Sequence, residues 1–184
     1  NMARTKGATY EPAFTGEVLK EVKTEVASVP LNERKVIARR AALELGPGYN
    51  VNMGLGMPTT VPMILAEAGV DDKITMISET GTIGGVPGTE RLDFGCHWNP
   101  EAFSDHGEHF SYFDGGNLDC GVFGLSEVDA DGNMNTSHLN GSITGVGGFT
   151  DISSNAKKVL FIGTFTAVGL KTEIGNGAIK IVNE

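Results

Sequence analysis

The chain has 184 residues, of which 40% are hydrophobic and 20% charged, and it carries a net charge of −9. That is the composition of a globular domain with ample length for a core. The negative balance excludes a general nucleic-acid binder, and no apolar run reaches the roughly 18–20 residues that span a bilayer.

Residues 1–30, with Pro12, Gly16 and Pro30, lack a sustained apolar stripe and are predicted to be a linker or extended arm. The alternative is a loose helix from Glu17 to Ser28 on Val18, Val22 and Val26. No apolar signal core marks the amino end. The only cysteines, Cys96 and Cys120, lack CxxC spacing and read as reduced thiols of a cytoplasmic protein.

From Asn32, an N-cap residue, a helix is expected on the stripe Ile37, Ala41 and Leu45, stopped by Gly46. Arg34, Lys35, Arg39 and Arg40 fall mostly off that stripe and read as a solvated face, with a phosphate grip as the other reading. Tyr49–Met53 is predicted as a strand, then comes the turn Gly54-Leu55-Gly56 and a helix from about Thr60 to Ala68. Pro62 is tolerated in its first turn. Gly69 ends that helix, and Lys73–Ser78 is the next strand. This βαβ unit implies a parallel strand pair.

That second strand runs into Glu79-Thr80-Gly81-Thr82-Ile83-Gly84-Gly85, placing one carboxylate in a loop nearly bare of side chains. In open α/β sheets ligands sit beyond the carboxyl ends of the strands, so Glu79 is the candidate nucleophile. The same outline also describes a dinucleotide-binding unit. Against that, Thr59 stands where the third glycine belongs, and the glycine loop after Glu79 has no role in such a scheme.

An aromatic stretch follows, with Phe94, Trp98, Phe103, Phe110, Tyr112 and Phe113, and Ser104 as the expected cap of a helix to about Phe113. His97, His106 and His109 lack the further ligands of a metal set, and none is expected. Gly115-Gly116 leads into a strand from Cys120 to Val128. Asp129–Asn133 fails the calcium-loop pattern and reads as a hairpin turn into Met134–Ser137. The sequons at Asn135 and Asn140 mean nothing without a secretory route. Gly145–Gly148 precedes a short helix and a strand over Lys157–Gly163, and Ala178–Val182 reads as a final strand.

Glycine is used 26 times, about twice the ordinary frequency, and the clusters let backbone amides approach a ligand. Gly84, Gly85, Gly115, Gly116, Gly147 and Gly148 are therefore the candidate oxyanion or substrate-loop residues.

In order along the chain, ERKVIARRAALEL (33–45), VNMGLGMPT (51–59), SETGTIGGVP (78–87), FDGGNLD (113–119), EVDADGNMNTS (127–137), GVGGFTDIS (145–153) and AKKVLFIGTFTAVGL (156–170) resemble the β-type half of family I coenzyme A transferases. YEPAFTGE (10–17) is similar to the linker from an α half in fused acetate or propionate CoA-transferases. The resemblance implies an open three-layer α/β/α domain over 31–184 with a mixed, largely parallel sheet, truncated at its carboxyl end. It favours Gly147-Gly148 among the glycines and gives Glu79 the role of the family's nucleophile in a ping-pong exchange through a glutamyl-CoA thioester. Coenzyme A is then substrate and covalent intermediate, with no bound cofactor. The implied partners are acyl-CoA, small carboxylic acids and an α-type half, fused or separate, in an oligomer, with neither nucleic acid nor membrane. An acyl-CoA hydrolase, or a non-catalytic β-type partner, are the alternatives on the same scaffold. One departure stands out, since many relatives read SENG where this chain has Thr80 after Glu79.

Overall fold

The computed structural model describes residues 10–21, 29–88, 95–139, 141–143, 145–164 and 170–183. Val22, Val26, Phe94, Asn140 and residues 165–169 of the last motif lie outside them.

Four strands form the central sheet: β1 (Asn50–Met53), β2 (Thr75–Met76), β3 (Cys120–Gly124) and β4 (Val159–Ile162). Their order is β4-β3-β1-β2, and every pairing is parallel. Among the described residues, the antiparallel pairings expected of a mixed sheet occur in separate two-stranded ribbons and in the isolated Ile77–Ile83 bridge.

Alternation along the strands divides the core in two. Val51, Met76, Cys120 and Val122 pack under α1 (Glu33–Ala42) and α2 (Thr60–Glu67) through Ala38, Ala41, Val61, Ile64 and Leu65. On the other face Phe123 and Ile77 meet Phe113 of α3 (His106–Asp114) and Ile152 of α4 (Phe149–Asn155). Helices on both faces of a parallel sheet give the expected three layers.

Local chemistry sets the helix ends. Asn32 caps α1 by accepting the Lys35 N–H at 3.0 Å. The helix stops at Ala42, short of Gly46. Gly69, at φ 67°, ends α2: the Val70 N–H donates to Leu65 O and the Gly69 N–H to Ala66 O, both at 3.0 Å. The cap of α3 is Asp105, whose carboxylate accepts the Gly107 N–H, and not Ser104.

Two further expectations are corrected. Lys35 is not on a solvated face; it is 7% exposed, and its ammonium pairs with Glu67 of α2 at 2.7 Å. The predicted strand Cys120–Val128 breaks after Gly124, and Glu127–Val128 instead pairs with Met134–Asn135 across the expected turn. The final strand, Ala178–Asn183, has a partner the pattern did not reveal, Lys171–Gly175, joined to it through Asn176 and Gly177, both at positive φ.

In the region read as an arm, residues 10–21 lie against the domain. Ala13 is fully buried, the Asn99 N–H donates to its carbonyl, and the Phe14 ring sits 4.2 Å from that of Trp98.

Candidate functional site at the carboxyl edge of the sheet

Glu79 stands three residues beyond β2, on a turn closed by the Gly81 N–H donating to Ser78 O at 3.3 Å. The loop after β1 leads to α2 on one face, and the loop after β2 leads to α3 on the other. The two loops leave the carboxyl edge of the sheet toward opposite faces, the edge at which open α/β sheets hold their ligands. Beneath them Asn52, 3% exposed, donates its amide to Ile77 O at 2.9 Å. Alternation along the strand marks Asn52 only as a polar position. Its pattern was visible, but its partner strand was not.

Glu79 is half-buried, and among the described residues its carboxylate takes no hydrogen bond or ion pair. It lies beside Gly148 at the start of α4. A Cβ built there would lie 3.1 Å from Glu79 Oε2, 3.3 Å from Cδ and 2.9 Å from Phe110 Cζ. A carboxylate, a bare backbone and an aromatic edge thus meet at one point, contributed by the loops after β2 and β3 and by α3. Phe110, from the predicted aromatic stretch, lies at this point. Among the described residues, the N–H groups of Gly147 and Gly148 have no hydrogen-bond acceptor.

The other candidate glycines are placed differently. Gly84 donates its N–H to Met76 O at 2.8 Å, and its φ of 69° closes the turn after the Ile77–Ile83 bridge. Gly85, at φ 72°, packs on the carbonyls of Trp98 and Asn99, where a Cβ would collide. Gly115 and Gly116 lie between α3 and β3, at the amino edge of the sheet, and donate to Ser111 O and Phe113 O. A five-residue strand rises roughly 13 Å, so the sheet itself separates that pair from Glu79. The motif they belong to works at that far edge, where Asp119 accepts the Asn50 N–H at 2.8 Å and pairs with Lys157 at 2.8 Å. The Asn50 N–H first, then Lys157, hold its carboxyl below the usual range.

Behind the Glu79 turn lies a buried imidazole. His109 is 1% exposed, with Nδ1 at 2.7 Å from Ser104 Oγ and Nε2 without a full hydrogen bond. Ser104 N–H in turn donates to Gly81 O at 2.9 Å. Burial lowers the His109 pKa; the nearby Ser78 carbonyl opposes that, and His106 adds to it. His97 is buried with Nδ1 2.6 Å from Gly84 O, and burial again lowers its pKa. Both cysteines are buried, and burial pushes Cys120 up to about 11, so that sulfur is no neutral-pH nucleophile. An apolar cavity of about 60 Å³ bounded by Met53, Met63, Met76, Cys96 and His97 backs Ser78. It is far below the several hundred Å³ of a typical ligand pocket. No helix among the described residues is long and apolar enough to cross a membrane.

A parallel sheet between two helical layers defines an open α/β/α domain, with Glu79 on the turn beyond the edge strand β2. No family model matches the chain. It is 43% identical over 186 residues to the caffeate CoA-transferase of Acetobacterium woodii, covering 98% of this chain and 35% of that protein. It is 30% identical over 166 residues to the acetate CoA-transferase subunit beta of Haemophilus influenzae, covering 84% of this chain and 70% of that subunit. Among solved structures, the acyl-CoA transferase YdiF apoenzyme of Escherichia coli O157:H7 superposes with a TM-score of 0.78 at 37% identity, over 97% of this chain and 32% of the other. A thioester complex of YdiF with CoA gives 0.69 at 40% identity, over 84% and 29%. The chain belongs to the family I CoA-transferases and corresponds to their β-type half. It spans about a third of the length of the caffeate CoA-transferase and of YdiF.

Proposed function

We propose that this domain, assembled with an α-type half, transfers coenzyme A between an acyl-CoA and a short-chain carboxylic acid, with Glu79 as covalent relay. The observation that carries the reading is the Glu79 carboxylate, without a partner among the described residues, lying against the main chain of Gly148. A glutamate held by an interior cation would be spent; this one is available.

The chemistry balances in four transfers. A Glu79 oxygen attacks the thioester carbon, and the C–S bond breaks to give an acyl-glutamyl anhydride and CoA thiolate. The thiolate attacks Glu79 Cδ and expels the first acid as its carboxylate, leaving a glutamyl-CoA thioester. A second carboxylate attacks Cδ and releases the thiolate, which then takes the new acyl group and frees Glu79. Dividing one exchange into covalent steps is what a nucleophilic side chain contributes. Each tetrahedral intermediate carries an oxyanion, and one preorganised donor is worth roughly 3–4 kcal/mol. We take the Gly147 and Gly148 amides, which have no acceptor among the described residues, as the donors, with Phe110 screening the position from water. The thioester complex of YdiF with CoA supports the same intermediate for this chain.

The test is chemical. The domain, assembled with an α-type half, is incubated with acetyl-CoA, treated with borohydride and digested. Reduction of a glutamyl thioester to an alcohol lowers the mass of the Glu79 peptide, and E79Q abolishes both that change and acyl exchange. An unmodified Glu79 peptide under turnover, or exchange retained by E79Q, refutes the assignment.

A further inference from the structure

The residue after Glu79 sits in a cluster of hydroxyl groups that the transfer chemistry does not use. Thr82 Oγ1, Thr80 Oγ1 and Ser78 Oγ lie 2.8, 2.9 and 3.3 Å from one acceptor, the carbonyl oxygen of Gly95. A carbonyl oxygen offers two lone pairs. The two short bonds, from Thr82 and Thr80, fill them. The Ser78 proton then goes to Thr80 Oγ1, 2.8 Å away. Ser78 Oγ in turn accepts the Thr82 N–H at 3.3 Å, while the Ser78 N–H donates to Thr82 O at 2.9 Å. Thr80 is the node of this network, accepting from Ser78 and donating to Gly95.

The fit is specific on both sides. Gly95 has φ 81°, and a Cβ there would collide with Thr80 Oγ1. Gly81, next along the turn, has φ 102°, and a Cβ on it would collide with Ser104 O. Glu79 is therefore followed directly by a hydroxyl tied to Gly95 and by a glycine fitted against Ser104.

We propose that Thr80 is a positioning residue whose hydroxyl clamps the Ser78–Thr82 turn to the Gly95 carbonyl, keeping the Glu79 carboxylate aimed past Gly148 through successive acylations. The inference rests on the nucleophile reading above. Reacting atoms must be held close to productive geometry at every transfer, so loss of the clamp acts on turnover more than on substrate capture.

The test compares T80V, which keeps the shape and removes the hydroxyl, with T80S, which keeps the hydroxyl, both assembled with an α-type half. Active sites are counted by borohydride trapping at Glu79, so rates refer to folded, acylatable enzyme. T80V is expected to lower kcat about tenfold with KM for acyl-CoA within about twofold, and T80S to recover kcat to within about threefold of the parent. A parental kcat in T80V overturns the proposal, as does T80S impaired as severely as T80V. A T80V defect that vanishes when rates are normalised to trapped sites overturns it too. The two readings fail separately. If Glu79 in the parent is never trapped, the nucleophile assignment falls and takes this inference with it; if it is trapped and T80V turns over normally, only the inference falls.

Discussion

Gly148 offers the sharpest test of the site geometry, because its backbone would accept alanine while its surroundings would not. Its φ of −79° and ψ of 0° are ordinary for any residue, so G148A adds no torsional strain and slightly restricts the unfolded chain. The new methyl would meet Phe110 Cζ at 2.9 Å and Glu79 Oε2 at 3.1 Å. To reach normal contact, the ring edge must retreat by about half an ångström and the carboxylate by about a third. Such overpacking costs about 1–3 kcal/mol, partly relieved because Phe110 is only half-buried. Displacing the proposed nucleophile and crowding its open side costs more in rate than in stability, since about 1 Å of misplacement costs on the order of a hundredfold. G148A should therefore lose at least about tenfold in Glu79 acylation, or about 1.4 kcal/mol of activation free energy, with only a small shift in Tm. Gly147 is the counterpart: φ is 55°, and nothing lies within 4 Å of its Cβ position. G147A pays about 1–2 kcal/mol for the left-handed backbone without touching the carboxylate. Single-turnover trapping and thermal melts of both variants decide the matter. Parental acylation by G148A, or a larger acylation defect in G147A, would refute the geometry.

The Lys35–Glu67 pair joins α1 to α2 with Lys35 nearly buried and Glu67 a quarter exposed. K35A should destabilise by about 1–3 kcal/mol, and K35M, which refills the stem, should recover most of it; urea titrations with an unchanged m-value measure both. His97 and His109 have pKa values lowered by burial. The unfolded chain takes up protons at about pH 6.5 that the native state refuses, so their contribution is present above that pH and lost as pH falls below it. Urea midpoints should drop between pH 7.5 and 5, and the H97N/H109Q double variant should flatten that slope. The lowered carboxyls of Asp119 and Asp129 act only in more acid solution.

Patterns that repeat along the chain were readable in advance. The βαβ unit from residue 50 to 76, the Asn32 cap, the Gly69 stop and the turn before Met134 each follow from spacing and local chemistry. Where the reading failed, the missing information belonged to another segment. Lys35 is charged and off the apolar stripe, so its burial depends on Glu67, which a different helix supplies. Ser104 is a good cap by type, yet its hydroxyl is committed to His109 and the neighbouring Asp105 takes the cap. The partner of the last strand is signalled by Asn176-Gly177, a strong hairpin dipeptide.

The order of residues alone specifies the alternation of strands and helices and the delivery of Glu79 by the turn after a buried strand, because those depend on torsional preference and periodicity over a few neighbours. Which glycines face that carboxylate was a matter of sheet polarity. Gly115-Gly116 and Gly147-Gly148 look alike in one dimension, but one pair enters a parallel strand and the other follows one. Only the packed sheet, by aligning all its strand ends, puts Gly148 beside Glu79 and leaves the other pair at the opposite edge.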